Sequence, residues 1–380
     1  MKQFIFSKGN FSFLIFYFLF SIISIISIFL AEYNNNKISM LFVKQLFFYI
    51  LGFFILYIIQ KINIHTYKKI SIPFFILTII ILVILLFSSN TIAPEVNGSK
   101  SWFNFSFFSI QPSEIVKTST VLMMSYLISQ KHFKLTSDII KLFEIILIIM
   151  VPFILITKQN DIGNALFFLF LFLILTFIVC EKNKISLIIY SIISFIVSLF
   201  IFLSIYFPKY LTIFGFKNYQ IKRVNSWIFP EKFTQNFSYQ ITQIINEMSK
   251  GKLYGTFSKN INYIDEQYND FILSIIAKNF GFIGATFFIF IFFVFIYKIL
   301  RISKKCENGT FYYYFLFLSS FSFLFGFIFN TYSTTSLIPV IGVSIPFISY
   351  GGSSLISNTI LLGIIIKINN TIYKELSNDN

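Results

Sequence analysis

Ten segments of mainly apolar residues, each long enough to cross a lipid bilayer, follow one another along this 380-residue chain. A membrane-spanning helix needs about 20 such residues. Only 12% of the chain is charged, whereas a soluble domain carries about 25% charged residues. The sequence therefore predicts an all-α, polytopic membrane protein in which residues 1–380 form one membrane domain. The predicted helices cover residues 11–31, 41–60, 70–88, 112–129, 139–157, 162–180, 185–207, 271–297, 311–332 and 347–366.

The basic residues predict how these helices are oriented. Fifteen Lys and Arg residues lie in the termini and loops on one side of the predicted membrane, against Lys37, Lys100 and Lys158 in the short loops on the other. Because positively charged loops stay in the cytoplasm, we expect both termini to be cytoplasmic. The net charge of +15 is explained by the same loops, which contact anionic membrane lipids, so nucleic-acid binding is not expected.

One long loop, residues 208–270, lies on the other, extracytoplasmic side between the seventh and eighth predicted helices. Within it, apolar residues recur at helical spacing and polar residues occupy the opposite side. The pattern predicts an amphipathic helix that lies on the outer leaflet or caps the helix bundle. The apolar positions are Ile241, Ile244, Ile245 and Met248, and the polar positions are Thr242, Asn246, Glu247 and Lys250.

The stretch Gln111-Pro112-Ser113-Glu114-Ile-Val-Lys117 opens the fourth predicted helix. Ionisable residues within a membrane are costly and therefore mark candidate functional sites. Glu114 and Lys117 are three residues apart, so they share one face of the helix. Two interpretations stay open: a structural ion pair that anchors the helix, and a polar site that is open to the outer face.

A second motif ends the long loop at Asp270, the last polar residue before the apolar stretch Phe271-Ile-Leu. An aspartate at this place can cap the helix that follows. A carboxylate at the boundary between membrane and water can also act as a general base. The two roles do not exclude each other.

A third motif, Ile345-Pro346-Phe-Ile-Ser349-Tyr350-Gly351-Gly352-Ser353-Ser354, opens the tenth predicted helix. Adjacent glycines allow the backbone to approach other groups closely. Free amides at a helix N-terminus favour an anion such as a pyrophosphate. The alternative is helix packing through small Gly and Ser residues, which is common in membranes.

Together and in this order, the three motifs resemble the shape, elongation, division and sporulation (SEDS) family of peptidoglycan glycosyltransferases, whose best-known members are RodA and FtsW. The resemblance covers residues 97–363. Further matching stretches are Asn97-Gly-Ser-Lys-Ser-Trp102, Lys158-Gln-Asn-Asp161-Ile-Gly163-Asn-Ala165, Tyr219-Gln-Ile-Lys-Arg223-Val, Tyr239-Gln240-Ile-Thr-Gln243, Glu266 to Phe271, Phe280-Gly281-Phe-Ile-Gly284 and Leu337-Ile-Pro339-Val-Ile-Gly342.

The resemblance implies a protein that polymerises lipid II into glycan strands on the outer face of the bacterial cytoplasmic (inner) membrane. The family's catalytic aspartate maps onto Asp270, its QPSE…K pair onto Glu114 and Lys117, and the basic residue that follows YQ onto Arg223. The implied partner is a class B penicillin-binding protein. A divalent cation, Mg²⁺ or Mn²⁺, is a candidate cofactor, although no acidic cage is evident in the sequence. Besides Glu114, Lys117 and Arg223, the residues expected to bind substrate or line a polar cavity are Gln111, Ser113, Gly351, Gly352, Ser353 and Ser354.

Two stretches are more similar to elongation-type RodA than to division-type FtsW: Ser99-Lys-Ser-Trp102 and Gln159-Asn-Asp161-Ile-Gly163. The expected role is therefore glycan polymerisation during cell elongation and shape maintenance, and a division-type polymerase is one alternative. A lipid II flippase and a non-catalytic scaffold for wall synthesis are the others. A flippase predicts polar residues through the membrane midplane, whereas the strongest candidates here cluster toward the outer face.

The chain departs from the family at three places. The family's Leu-Pro-Glu…His-Thr-Asp is here Ile264-Asp265-Glu266…Tyr268-Asn269-Asp270. Lys278-Asn279 replaces two glutamates that often precede Phe-Gly, and Ser249-Lys250-Gly251 replaces a Ser-Gly-Gly stretch. Because Asp270 is retained, we expect activity, with a weakened enzyme as the alternative.

Overall fold

The computed structural model of the protein describes residues 8–35, 39–96, 98–105, 108–180, 183–213, 216–230, 237–259, 264 and 266–378. Asn97 and Asp265, quoted above, lie outside these residues. The long helices are α1 (Lys8–Asn34), α2 (Leu41–Lys61), α3 (Ile64–Phe87), α4 (Pro112–Ser129), α6 (Asp138–Lys158), α7 (Ile162–Val179), α8 (Asn183–Tyr206), α12 (Ile272–Ser303), α13 (Phe311–Thr334) and α14 (Gly352–Asn378). The shorter helices are α5 (Lys131–Leu135), α9 (Pro208–Ile213), α10 (Asn218–Ile228) and α11 (Phe237–Lys250), and two short antiparallel strands, β1 (Phe103–Asn104) and β2 (Ser109–Ile110), precede α4.

The all-α membrane architecture is confirmed. Within the described residues, nine helices are long and apolar enough to cross a membrane. The remaining long helix, α4, has 18 residues and is therefore about 27 Å long, but it is richer in polar residues. Those side chains are buried inside the bundle and bond to neighbouring helices, as Thr118 does to Ser357 (2.6 Å) and Ser119 to Thr78 (2.7 Å). Helix α4 can be polar because it packs against protein instead of lipid.

The core of the bundle is built largely from aromatic rings, as expected of a chain with 56 Phe residues. Phe292 and Phe327 stack with their ring centroids 4.2 Å apart. Phe20 and Phe347 stack at 5.7 Å. These rings join α1, α12 and α13 to the segment that precedes α14, so the third motif is anchored in the centre of the molecule.

Four predicted helix boundaries were wrong by five residues or more, among them the end of α14, which lies at Asn378 and not at residue 366. Helix α3 begins at Ile64, six residues before the predicted start. Helix α14 begins at Gly352, because the preceding residues form turns. Helix α12 extends to Ser303 and is broken at Gly281, whose φ of 67° and ψ of −169° are not helical. Residues 271–279, before this break, are all buried, whereas Phe282 beyond it is exposed.

The amphipathic helix predicted in the long loop is α11, and it caps the bundle. Ile241 and Ile244 are buried with Phe271 and Val340 in a separate apolar cluster. Two positions differ from the prediction. Ile245 is exposed, and Glu247, expected on the polar side, is buried. The end of the bundle that this loop covers is called the loop end below.

Candidate functional site at the loop end

Asp270 lies where the long loop meets α12, and the protein holds its backbone from two sides. Its N–H donates to the carbonyl of Glu266 (3.0 Å). Its carbonyl accepts a hydrogen bond from Nδ2 of Asn330 on α13 (2.8 Å), and the same nitrogen donates to the carbonyl of Val343 (2.7 Å). The fully buried Asn330 thus ties Asp270 to the loop that leads to α14. Sequence reasoning missed Asn330.

The carboxyl group of Asp270 is not used to cap a helix. Helix α12 begins at Ile272, and its N-cap residue is Phe271. The Asp270 carboxyl instead faces Gly342, where an added Cβ atom would lie only 3.3 Å from Oδ2. Gly342 has a φ of 75°, which favours glycine. The backbone at 342 therefore makes room for the carboxyl group.

Asp270 has the proton affinity of a base that works near neutral pH. Burial raises its pKa to about 7, with a further rise from Glu266 and Asp161 and a lowering by Arg223. The residue is nevertheless partly accessible. A carboxyl group with a pKa near the working pH is suited to general-base catalysis.

Arg223 is brought to this site by α10, as the resemblance implied. Its Nη1 atom lies 3.5 Å from the carbonyl of Val340, two residues before Gly342. Its charge acts directly on Asp270 and lowers the pKa of that carboxyl. Arg223 is 47 residues from Asp270 along the chain, so the sequence could link the two residues only through the motif that contains Arg223.

A polar cluster around Asp161 borders the site. Asp161 caps α7 by accepting from the N–H of Asn164 (3.2 Å). Its Oδ2 atom also accepts from the side chains of Gln111 (2.9 Å), Ser113 (3.3 Å) and Asn164 (2.8 Å). Two predicted site residues, Gln111 and Ser113, are thereby joined to a carboxylate that was not among the predicted site residues. The motif Lys158-Gln-Asn-Asp161 was the signal that could have identified it.

Glu114 and Lys117 form the ion pair that their spacing allows. Nζ of Lys117 lies 2.7 Å from Oε1 of Glu114, and both side chains are largely buried. The ammonium group also lies 5.8 Å from the ring centroid of Phe167. The pair lines a small polar cavity together with Ser354 and Ser357. Ser113, which bonds to Asp161, directly precedes Glu114 on α4. The cavity therefore lies next to the Asp161 cluster.

The third motif serves mainly to hold the segment around Asp270 in place. Ser349 Oγ donates to the carbonyl of Asn269 (2.7 Å), and the N–H of Tyr350 donates to the carbonyl of Tyr268 (3.0 Å). A Cβ atom at Gly352 would lie 2.6 Å from the Phe48 ring. The packing interpretation is therefore confirmed at Gly352.

The other three predicted site residues of this motif have polar partners. The N–H of Gly351 donates to Oε1 of Gln45 (3.3 Å). Ser353 Oγ accepts from the N–H of Gln111 (2.9 Å). Ser354 Oγ lies 3.4 Å from Ser344 Oγ. Binding of an anion by this helix start stays a prediction.

A divalent cation also stays a prediction. In the part of the chain that the structure describes, no three or more His, Cys, Asp or Glu side chains are grouped so that they could hold a metal ion. The described residues do not form a recognisable Mg²⁺ or Mn²⁺ site.

Fold and site together define a polytopic membrane protein with a carboxylate-centred polar site at one end of its helix bundle. A model of the FtsW/RodA/SpoVE family, described as cell cycle proteins, matches residues 8–374. The probable peptidoglycan glycosyltransferase FtsW of Wigglesworthia glossinidia brevipalpis is 31% identical over 330 residues, which are 85% of this chain and 82% of the relative. The FtsW of Borreliella burgdorferi is 28% identical over 93% of this chain and 92% of the relative. The chain belongs to the FtsW/RodA/SpoVE family.

Two solved structures share the fold. A chain of a peptidoglycan synthase complex matches with a TM-score of 0.76 at 20% identity, over 94% of this chain and 97% of that chain. The rod shape determining protein RodA of Thermus thermophilus matches with a TM-score of 0.67 at 17% identity, over 97% and 99%.

Proposed function

We propose that this protein polymerises lipid II into glycan strands and that Asp270 is its general base. The observation that carries the proposal is the carboxyl group of Asp270: it belongs to a half-buried residue, it lies against Gly342, and burial raises its pKa to about 7. The curated relatives, which are named peptidoglycan glycosyltransferases, supply the substrate class.

The reaction needs one base and positive charge. Asp270 accepts the proton of a sugar hydroxyl as the hydroxyl oxygen attacks the anomeric carbon of a second substrate. The new glycosidic bond forms while the bond to the lipid pyrophosphate breaks, and the pyrophosphate leaves with the electron pair. Because this leaving group is already good, no second carboxyl is required as an acid, unlike in glycoside hydrolysis.

Positive charge near the leaving group stabilises the negative charge that develops there. Arg223 is suited to this role, since it already acts electrostatically on Asp270. Lys117 is half of an ion pair, so we assign the Glu114–Lys117 pair to shaping the polar cavity beside the site. Gln111, Ser113, Ser353 and Ser354 line or border the same region and are proposed to contact the substrate.

A flippase is less well supported. Transport requires a polar site near the membrane midplane that opens to both sides. The ionisable residues Asp161, Glu266 and Asp270 and the Glu114–Lys117 pair all lie near the loop end, at the starts of α4, α7 and α12. Placement at one end favours a reaction on one face of the membrane.

The decisive test uses purified protein and lipid II. We expect the wild type to form glycan strands and Asp270→Asn to lower the rate by about 100-fold or more, the usual scale of general-base catalysis. Asparagine keeps the shape of aspartate but cannot accept the proton. A variant rate within a few-fold of wild type, at equal protein level, would remove Asp270 from the mechanism. Absence of polymerisation by every form of the protein would favour the scaffold.

The cellular role is either elongation, as two sequence stretches suggested, or division. The similar proteins of Wigglesworthia glossinidia brevipalpis, Buchnera aphidicola and Borreliella burgdorferi carry the name FtsW, which gives division at least equal weight. Depletion separates the two: loss of a division enzyme yields filaments, and loss of an elongation enzyme yields round cells. A fluorescent fusion should correspondingly lie at the septum or along the lateral wall.

We propose a class B penicillin-binding protein as the partner. A chain of a peptidoglycan synthase complex shares this fold over nearly its whole length, and the family resemblance implies such a transpeptidase. The proposal is checked by co-purification from membranes and by comparing lipid II polymerisation with and without the partner. An unchanged rate together with no co-purification would contradict it.

A further inference from the structure

Lys278 is a fully buried lysine to which the proposed mechanism gives no role. Its Nζ atom lies 2.6 Å from Oε2 of Glu247, which is on α11. Lys250, also on α11, binds the other oxygen of the same carboxylate. Burial opposes the charge of Glu247, but hydrogen bonds from Lys250 and Lys278 lower its pKa overall. A charged pair therefore joins α11 to the first part of α12.

A buried ammonium group without a counter-charge is strongly unfavourable. Lys278 is fully buried, and Glu247 supplies its counter-charge from a different element. The contact between α11 and α12 at this point therefore depends on both residues.

The turn that follows α11 fits into the break in α12. Gly281 interrupts the helical hydrogen bonds, and backbone groups of the turn replace them. A Cβ atom at Gly255 would lie 2.0 Å from the carbonyl oxygen of Asn279, so the two segments are in close backbone contact. The hydrogen bonds run from Thr256 N–H to Lys278 O (2.8 Å), from Phe282 N–H to Lys252 O (2.9 Å) and from Ile283 N–H to Leu253 O (3.2 Å).

The other end of α11 reaches the candidate active site. Ile241 and Ile244 pack against Phe271 and Val340. Phe271 follows Asp270 in the chain, and the carbonyl of Val340 accepts from Arg223. A displacement of α11 would therefore move the immediate neighbours of both Asp270 and Arg223.

We propose that Glu247 and Lys278 are a positioning pair: they fix α11 against α12 so that Asp270 and Arg223 hold their relative places. The proposal rests on the proposed function, in which these two residues act on the substrate. Neither Glu247 nor Lys278 touches the substrate. They act through α11 and the apolar cluster that it forms with Phe271.

The test combines kinetics with amide hydrogen exchange on the full-length protein. We expect Lys278→Met to lower kcat for lipid II polymerisation by about tenfold at similar KM, because small displacements of a catalytic group are costly. Amide exchange of residues 264–276 should rise several-fold, since this segment loses its support. Lys278→Arg keeps the charge and should restore both values to within about threefold of wild type.

A matched control is the ion pair of Lys141 with Asp138, whose Nζ and Oδ1 atoms lie 3.4 Å apart with similarly buried side chains. It lies at the far end of α6, about 30 Å from the loop end. Lys141→Met should lower the thermal stability but leave kcat and the exchange of residues 264–276 unchanged. This control separates loss of a buried ion pair from loss of positioning.

The outcomes distinguish this proposal from the proposed function. If Lys278→Met has the same kcat and the same amide exchange as the wild type, the positioning role is wrong, whether or not Asp270 is the general base. If amide exchange rises in Lys278→Met but even the wild type does not polymerise lipid II, the link between α11 and residues 264–276 is supported. The proposed polymerase function is then contradicted. If Lys278→Met does not accumulate, Glu247→Gln tests the same pair, with the same expected direction in kcat and exchange.

Discussion

At the scale of single residues, the proton on Asp270 sets the expected pH dependence. Only the ionised carboxyl can act as a base, and burial raises its pKa to about 7. We therefore expect kcat/KM for lipid II to rise about tenfold per pH unit below pH 7 and to level off above it. A rate profile that is flat between about pH 5.5 and 8 would contradict the assignment.

The same shift affects stability with a definite sign. The folded protein holds this proton more tightly than the unfolded chain, in which the pKa of aspartate is near 3.8. Stability should therefore fall as pH rises through the interval between the two pKa values. Asp270→Asn removes the titrating group, so this part of the pH dependence of the melting temperature should disappear in that variant.

Gly342 gives a sharper test of the space around Asp270. An alanine there must adopt a φ of 75°, which costs about 1–2 kcal/mol, and its Cβ would lie 3.3 Å from the carboxyl oxygen. Gly98 has a similar φ of 79° but no atom within 4 Å of an added Cβ. Both alanine variants should lose similar stability in thermal unfolding.

Only Gly342→Ala should also lower polymerisation, by about tenfold or more, because it displaces the base. Equal rates for Gly342→Ala and Gly98→Ala would show that the carboxyl does not need this space.

Residues that carry a charge in the membrane could be found from the sequence, and residues that position them could not. Glu114, Lys117 and Asp270 stand out because charge is rare in apolar surroundings. Asn330 is 60 residues from Asp270 along the chain and sits in an ordinary apolar helix. Nothing local in the sequence indicates that its amide holds the backbone of Asp270.

At the scale of elements, the Glu114–Lys117 pair tests how α4 is anchored. Removing one partner leaves a buried charge unpaired, which typically costs about 3–5 kcal/mol. We expect Glu114→Ala and Lys117→Ala each to lower protein abundance and lipid II polymerisation more than the double change does. The comparison is a double-mutant cycle in which abundance is read by immunoblot and glycan formation is expressed per amount of protein.

Strict additivity in this cycle would show that the two residues act independently. The Asp138–Lys141 pair provides a comparison at the other end of the bundle. Its double-mutant cycle should show coupling in stability but none in polymerisation.

The sequence predicted the existence of each long helix but not the breaks within them. Apolar runs identify membrane helices because lipid demands about 20 apolar residues. The break at Gly281 falls inside such a run and depends on the turn at residues 252–256, which supplies the missing hydrogen bonds. Likewise, α14 begins only at Gly352 because the residues before it are held elsewhere: the backbone N–H of Tyr350 donates to Tyr268, and the hydroxyl of Ser349 donates to Asn269. Both boundaries are set by partners that are distant in the chain.

At the scale of the whole molecule, the proposed reaction requires the loop end to face outward. The lysine distribution predicts this orientation, with both termini in the cytoplasm. Four exposed positions can be changed to cysteine to test it. Glu95 and Leu337 lie near the loop end, and Lys304 and Asn308 lie in the turn between α12 and α13 at the opposite end. The background should carry Cys180→Ser and Cys306→Ser, since these are the two native cysteines.

A membrane-impermeant maleimide applied to intact cells should label the cysteines at positions 95 and 337 and leave those at 304 and 308 unlabelled. After lysis all four should react, which shows that the protected positions are shielded by the membrane and not by the fold. Labelling at 304 or 308 from outside would show that the protein has the opposite orientation in the membrane. Asp270 would then face the cytoplasm, where it could not add to a glycan on the outer surface, and the polymerase function proposed for this chain would fail with the topology.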